Sequence, residues 1–152
     1  MAQADNPVVL VVEDDPPVRE LIDDVLREEG YDVVAAHDGA SALRVLESLK
    51  VDVITLDLDL PGLTGSDFLR LLQRRKLHIP PVIVVTSHTP VSRQLRKMAQ
   101  SVVAKPFDID DLLAAIVELL PRPRTRRQRQ VGGSDTDAVQ DQPDAAPEPR
   151  VA

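Results

Sequence analysis

The 152-residue chain contains no cysteine and no tryptophan, and aromatic side chains make up only 2% of it. Without thiols, neither a disulfide framework nor a thiolate metal centre is available, and a reducing compartment is the simpler setting. With so few rings, the core has to be assembled from Val, Leu, Ile and Ala, which the 43% hydrophobic content supplies. No uninterrupted apolar run approaches the ~18 residues of a membrane span. The opening MAQADNP has neither the basic stretch nor the apolar stretch of a secretory signal. The expectation is a cytoplasmic protein with no membrane contact.

Basic side chains are scarce where they would matter for nucleic acid. Residues 1–120 carry 12 Lys/Arg against 20 Asp/Glu, a balance of −8, within a whole-chain charge of −7. Neutralising phosphates needs positive charge, so nucleic-acid binding by this part is disfavoured.

What is present is alternation. Val8–Val12, Val33–Ala36, Val51–Leu56, Val82–Val85 and Val102–Ala104 are short apolar runs of the kind that form strands buried on both faces. Helical spacing lies between them. Val18, Leu21, Ile22 and Val25 make one stripe; Ala42, Leu43, Leu46 and Leu49 another; Phe68, Leu71 and Leu72 a third. Val91, Leu95 and Met98 make a shorter stripe, with Thr89-Pro90 as its expected N-cap and first helical residue. Ile109, Leu112, Leu113 and Ile116 make the last. Gly30, Asp38-Gly39, Pro61-Gly62 and Gly65 punctuate the pattern. Five βα units in residues 8–120 predict a flavodoxin-like, doubly wound parallel sheet of order 2-1-3-4-5, after a short extension over 1–7. From residue 121 the pattern stops. The 32 residues that follow hold five prolines and little apolar content, so a disordered tail is expected.

The polar residues fall on one edge of this frame. Glu13-Asp14-Asp15 follow the first strand, Asp57-Leu58-Asp59 the third, Thr86-Ser87 the fourth and Lys105-Pro106 the fifth. In such sheets ligands bind at the carboxyl ends of the strands. Carboxylates gathered at one point repel one another, and a divalent cation removes that cost. Oxygen donors without His or Cys suit Mg²⁺, with Mn²⁺ as the alternative. A lysine and a hydroxyl facing the same point complete what a phosphoryl group requires, and a carboxylate can itself be the nucleophile.

The segments VVEDDPPVRELI, LDLDLPGLTG, VVTS and KPF resemble the motifs of response-regulator receiver domains. The resemblance covers residues 8–120. It implies that Asp57 accepts a phosphoryl group, with Asp14 holding Mg²⁺ directly and Glu13 largely through water. It implies the backbone carbonyl of Asp59 as a third protein ligand, Thr86 as the switch hydroxyl and Lys105 as the cation that pairs with the phosphoryl group. A histidine kinase or phosphotransfer protein is the implied donor. The implied output is contact with a downstream protein, and the implied type is a stand-alone receiver whose only chemistry is its own phosphorylation and dephosphorylation. The Lys105-Pro106 bond is cis in many relatives.

Two positions depart from the family pattern. Val102 stands where an aromatic is usual, three residues before the lysine, and the span from Thr86 to Lys105 is short, so the fourth helix or its loop must be trimmed. The first departure keeps a phosphorylation-independent docking scaffold as an alternative. Asp57-Leu58-Asp59 also resembles the nucleophile pair of haloacid-dehalogenase-like phosphohydrolases, but that motif normally lies on a first strand. His37, His78 and His88 have no ligand spacing; His88 lies beside the site. Arg122, Arg124, Arg126, Arg127 and Arg129 form a basic run that reads first as a solvated linker, with docking to nucleic acid, another anion or a protein as its other uses.

Overall fold

The computed structural model describes residues 6–75, 78–120 and 123. Strands β1 (Val8–Val12), β2 (Asp32–Ala36), β3 (Val53–Asp57), β4 (Val82–Thr86) and β5 (Ser101–Ala104) alternate with helices α1 (Pro16–Glu28), α2 (Gly39–Ser48), α3 (Gly65–Arg74), α4 (Arg93–Met98) and α5 (Ile109–Leu119). All strand pairs are parallel, in the order β2-β1-β3-β4-β5. This is the flavodoxin-like arrangement expected from the alternation.

Period-two alternation sends the strand side chains into two layers. Leu10, Val12, Ile54, Leu56, Val82 and Val84 pack with Ala42, Phe68, Leu69, Leu72 and Leu95 of α2, α3 and α4. Val9, Val11, Val53, Ile83 and Val85 pack with Ile22, Leu26, Leu112 and Ile116 of α1 and α5. Every residue of β3 and β4 is buried, as a parallel sheet covered on both faces requires. Truncating one of these side chains, Ile54 for example, is expected to cost about 2–5 kcal/mol.

Local chemistry sets the element ends. The side chains of Asp38, Thr64, Ser92 and Asp108 each accept a backbone N–H in the first turn of α2, α3, α4 and α5. Gly30 ends the turn after α1 with φ +98°, a conformation glycine adopts without strain.

Three expectations need correction. Helix α4 is capped by Ser92 and starts at Arg93, not at Thr89-Pro90, whose peptide bond is cis. Strand β3 starts at Val53 rather than Val51, because Asp52 turns its carboxylate to accept the Val8 N–H at 2.8 Å. Two leucines are not on the buried stripes expected for them: Leu21 of α1 is 50% exposed, and Leu49, which follows α2, is 49% exposed. The trimming between Thr86 and Lys105 falls on α4, which has only 6 residues. Of the expected tail 121–152 only Pro123 lies among the described residues, and it is buried. Residues 1–5 of the N-terminal extension lie outside them.

Candidate functional site

Four strand ends converge at the carboxyl edge of the sheet. β3 ends in Asp57 itself and β4 in Thr86, while Glu13 and Lys105 directly follow β1 and β5. Asp57 pairs with Val85 and Thr86 with Ala104, so the register places these ends side by side.

Glu13 and Asp57 are only 2% and 3% exposed, whereas Asp14 lies open to solvent. One carboxylate oxygen from each of Glu13, Asp14 and Asp57 lies within 4.8 Å of the others. Lys105 reaches this cluster from β5. Its Nζ donates to Glu13 Oε1 at 3.0 Å and stands 3.4 Å from Asp57 Oδ2. Burial pushes the Glu13 pKa up to about 7; the hydrogen bond from Lys105 opposes this and the Asp57 charge adds to it. Burial alone would lower the Lys105 pKa. Its hydrogen bond to Glu13 and the charges of Glu13 and Asp57 outweigh burial, and the net shift is upward.

Three carboxylates thus face one ammonium. The donor set is oxygen only, its charge is incompletely balanced, and Asp14 leaves it open to solvent. These features fit a hard divalent cation. Asp59 does not add its carboxylate to the cluster. Its backbone N–H donates to Asp57 Oδ1 at 3.0 Å, while its Oδ2 lies 3.1 Å from His88 Nε2 and accepts from Ser87 Oγ at 3.4 Å. Thr86 is fully buried, and its Oγ1 accepts the His88 N–H at 3.0 Å.

Arg19 escapes notice in the sequence, and so does the pairing of His88 with Asp59, two residues already placed near the site. Arg19, on the first turns of α1, donates from Nη1 to the Glu13 carbonyl at 2.8 Å and so fixes the acidic loop from behind. The His88–Asp59 contact joins the β4 and β3 loops across the mouth of the site. The motif stretch VVEDDPPVR contains Arg19, but only the fold reveals what it holds. Gly65 closes the third side, donating its N–H to the Leu58 carbonyl at 3.1 Å.

Residues 9–117 match the family model described as response regulator receiver domain. The chain belongs to this family. Receivers are signalling domains of two-component systems, not enzymes of the ordinary kind. The chain is 38% identical over 129 residues to nodulation protein W of Bradyrhizobium diazoefficiens, a match covering 81% of this chain and 55% of that protein. It is 38% identical over 122 residues to the DNA-binding response regulator MtrA of Mycolicibacterium smegmatis, covering 78% and 50%. The chain thus spans about half the length of these curated relatives. Among solved structures, response regulator protein TrrA from Thermotoga maritima, in complex with Mg²⁺–BeF, superposes with a TM-score of 0.65 at 30% identity. That match covers 75% of this chain and 99% of TrrA. Among the described residues, no helix of this receiver is long and apolar enough to cross a membrane.

Proposed function

We propose that this receiver accepts a phosphoryl group on Asp57 from a histidine kinase or phosphotransfer protein, with Mg²⁺ (or Mn²⁺) as cofactor, and acts in the cytoplasm. The observation that carries this reading is Lys105 Nζ, 3.0 Å from Glu13 and 3.4 Å from Asp57 at the buried end of a central strand. Asp57 Oδ1 is held by the Asp59 N–H, while Oδ2 faces the lysine and the acidic cluster. A carboxylate oxygen attacks phosphorus, the phosphorus–nitrogen bond of a phosphohistidine breaks, and its electron pair returns to the donor imidazole, which takes a proton from water. The product is an acyl phosphate.

Glu13, Asp14, Asp57 and the Asp59 carbonyl would hold Mg²⁺, which neutralises phosphoryl charge when bound. The protein's own part is positioning and charge. Lys105 supplies a fixed cation to the phosphoryl oxygens, and its approach to Glu13 keeps it aimed there before any donor arrives. Thr86 would supply a hydroxyl hydrogen from the neighbouring strand to a phosphoryl oxygen; its Oγ1 accepts the His88 N–H through a lone pair, which leaves that hydrogen free to donate.

Output passes through protein contacts. MtrA, by its name, is a DNA-binding response regulator. The acidic balance of residues 1–120 argues against carrying that property over to this domain.

Incubation with Mg²⁺ and a small phosphodonor, read by intact mass, tests the proposal. Wild type should gain one phosphoryl group and Asp57→Ala none. A gain that persists in Asp57→Ala would move the acceptor elsewhere. An absent gain in wild type would favour the second reading, a docking scaffold independent of phosphorylation. The observation behind that reading is Val102, half-buried on β5 where an aromatic is usual.

A further inference from the structure

Helix α1 begins without the device that starts the other four. Asp38, Thr64, Ser92 and Asp108 cap α2, α3, α4 and α5 with their side chains, but Asp15, in the same position before α1, makes no such bond. Pro16 and Pro17 open the helix and have no N–H for a cap to hold. Yet this junction is the one that carries Glu13 and Asp14, and both Asp14 and Asp15 lie open to solvent.

Two bonds fix it, one on each side of Glu13. The Glu13 N–H donates to the Ala36 carbonyl at the end of β2 at 3.0 Å, and the Glu13 carbonyl accepts Arg19 Nη1 at 2.8 Å. A helical side chain leans toward the N-terminus of its helix, which is the direction in which Arg19 reaches back to residue 13. The Glu13 carbonyl and the Asp14 N–H belong to one planar peptide unit, so holding the carbonyl sets the direction in which Asp14 leaves the strand. Arg19 is half-buried, and among the described residues no carboxylate takes its guanidinium, although α1 also carries Glu20, Asp23, Asp24 and Glu28.

Arg27 provides a matched comparison. It is the other arginine of α1, and it too donates a guanidinium N–H to a backbone carbonyl at 2.8 Å, that of Val33 in β2. The charge, the bond type and its length are the same, and the target differs.

We infer that Arg19 is a positioning residue for the divalent cation: it presets the Glu13–Asp14 peptide, so that Asp14 meets the ion without first having to be ordered. The inference rests on the Mg²⁺ reading of the acidic cluster. Groups that orient metal ligands typically account for about 10–100-fold of the affinity. Removing a positive charge near the cluster acts in the opposite sense, because a neighbouring cation repels Mg²⁺. The direction of the change therefore separates positioning from charge.

The test titrates Mg²⁺ into metal-free, full-length protein and follows backbone amide signals, after relaxation order parameters over residues 13–15 have been recorded without metal. Arg19→Ala is expected to bind Mg²⁺ about tenfold more weakly than wild type and to show lowered order parameters over 13–15. Arg27→Ala, which removes the same charge, should match wild type in both. Arg19→Lys keeps the charge and a shorter reach of donors, and should recover part of the loss; if Arg19→Ala does not fold, the lysine variant must still bind more weakly than wild type. Binding in the Arg19 variants as tight as wild type or tighter, or an equal loss in Arg27→Ala, overturns the positioning role while leaving the Mg²⁺ reading in place. A wild type that shows no response to Mg²⁺ overturns both.

Discussion

The backbone of Gly65 passes so close to Asp57 that a Cβ on the glycine would stand 2.6 Å from the Asp57 carbonyl oxygen and 2.7 Å from Leu58 Cα. Both obstacles are backbone, so neither can swing aside. Gly65→Ala is therefore expected to destabilise the domain by about 1–3 kcal/mol and to slow phosphoryl uptake by displacing Asp57. Gly39→Ala is the control. Its new Cβ would meet Leu63 Cδ2 at 2.9 Å, the far end of a flexible side chain, and its helix would gain up to about 1 kcal/mol in propensity. Denaturant midpoints of the two variants check the contrast; equal losses would remove the backbone argument.

Lys105→Met should leave Asp57 present but poorly served. The phosphoryl oxygens lose their fixed cation, and uptake from a small donor should slow at least about tenfold, which corresponds to about 1.4 kcal/mol of barrier. A mass time course at saturating Mg²⁺ reads this directly. An unchanged rate would mean that the lysine serves only Glu13.

Glu13 provides a pH signature. Its ordinary value is 4.5, and in the fold burial raises it to about 7. The folded state therefore keeps the proton to higher pH than the unfolded chain does. The associated stability is fully present below about pH 4.5 and is lost as pH rises through about 7. Metal-free wild type should weaken across that window in urea titrations, and Glu13→Gln should flatten the profile there. Parallel profiles for the two proteins would contradict the assignment.

How much of this could be seen without coordinates depended on how local the cause was. The Val-rich runs marked all five strands, most plainly β3 and β4, where cover on both faces tolerates little else. That Glu13, Asp14, Asp57, Thr86 and Lys105 gather at one edge was legible because each sits within a residue or two of a strand's carboxyl end. Boundaries were less legible. Thr89-Pro90 and Ser92 offer the same capping chemistry, and in the fold it is Ser92 that accepts the Leu95 N–H and begins α4. Arg19 on the Glu13 carbonyl, and His88 against Asp59, depend on tertiary distances that no spacing encodes.

The His88–Asp59 contact is expected to affect how long the proposed acyl phosphate lasts. Both side chains are exposed, and each lies two residues beyond a strand that ends at the site. Asp59→Asn and His88→Ala are each expected to change the decay rate of phosphorylated protein by several-fold while leaving the acceptor intact. Decay followed by mass after donor removal measures it. Identical decay in all three proteins would reduce the pair to a surface contact.

Asp57 closes a strand whose five residues are all buried, with partners on both sides, whereas β5 has four residues, three half-buried and one exposed, and a free edge. Amide exchange should follow that division: β3 protons released only when the whole domain opens, β5 protons released by local fraying. The proposed modification at Asp57 would then be written into the part of the molecule expected to yield least, and the edge expected to fray first is where its influence would meet the smallest barrier to becoming a change of shape.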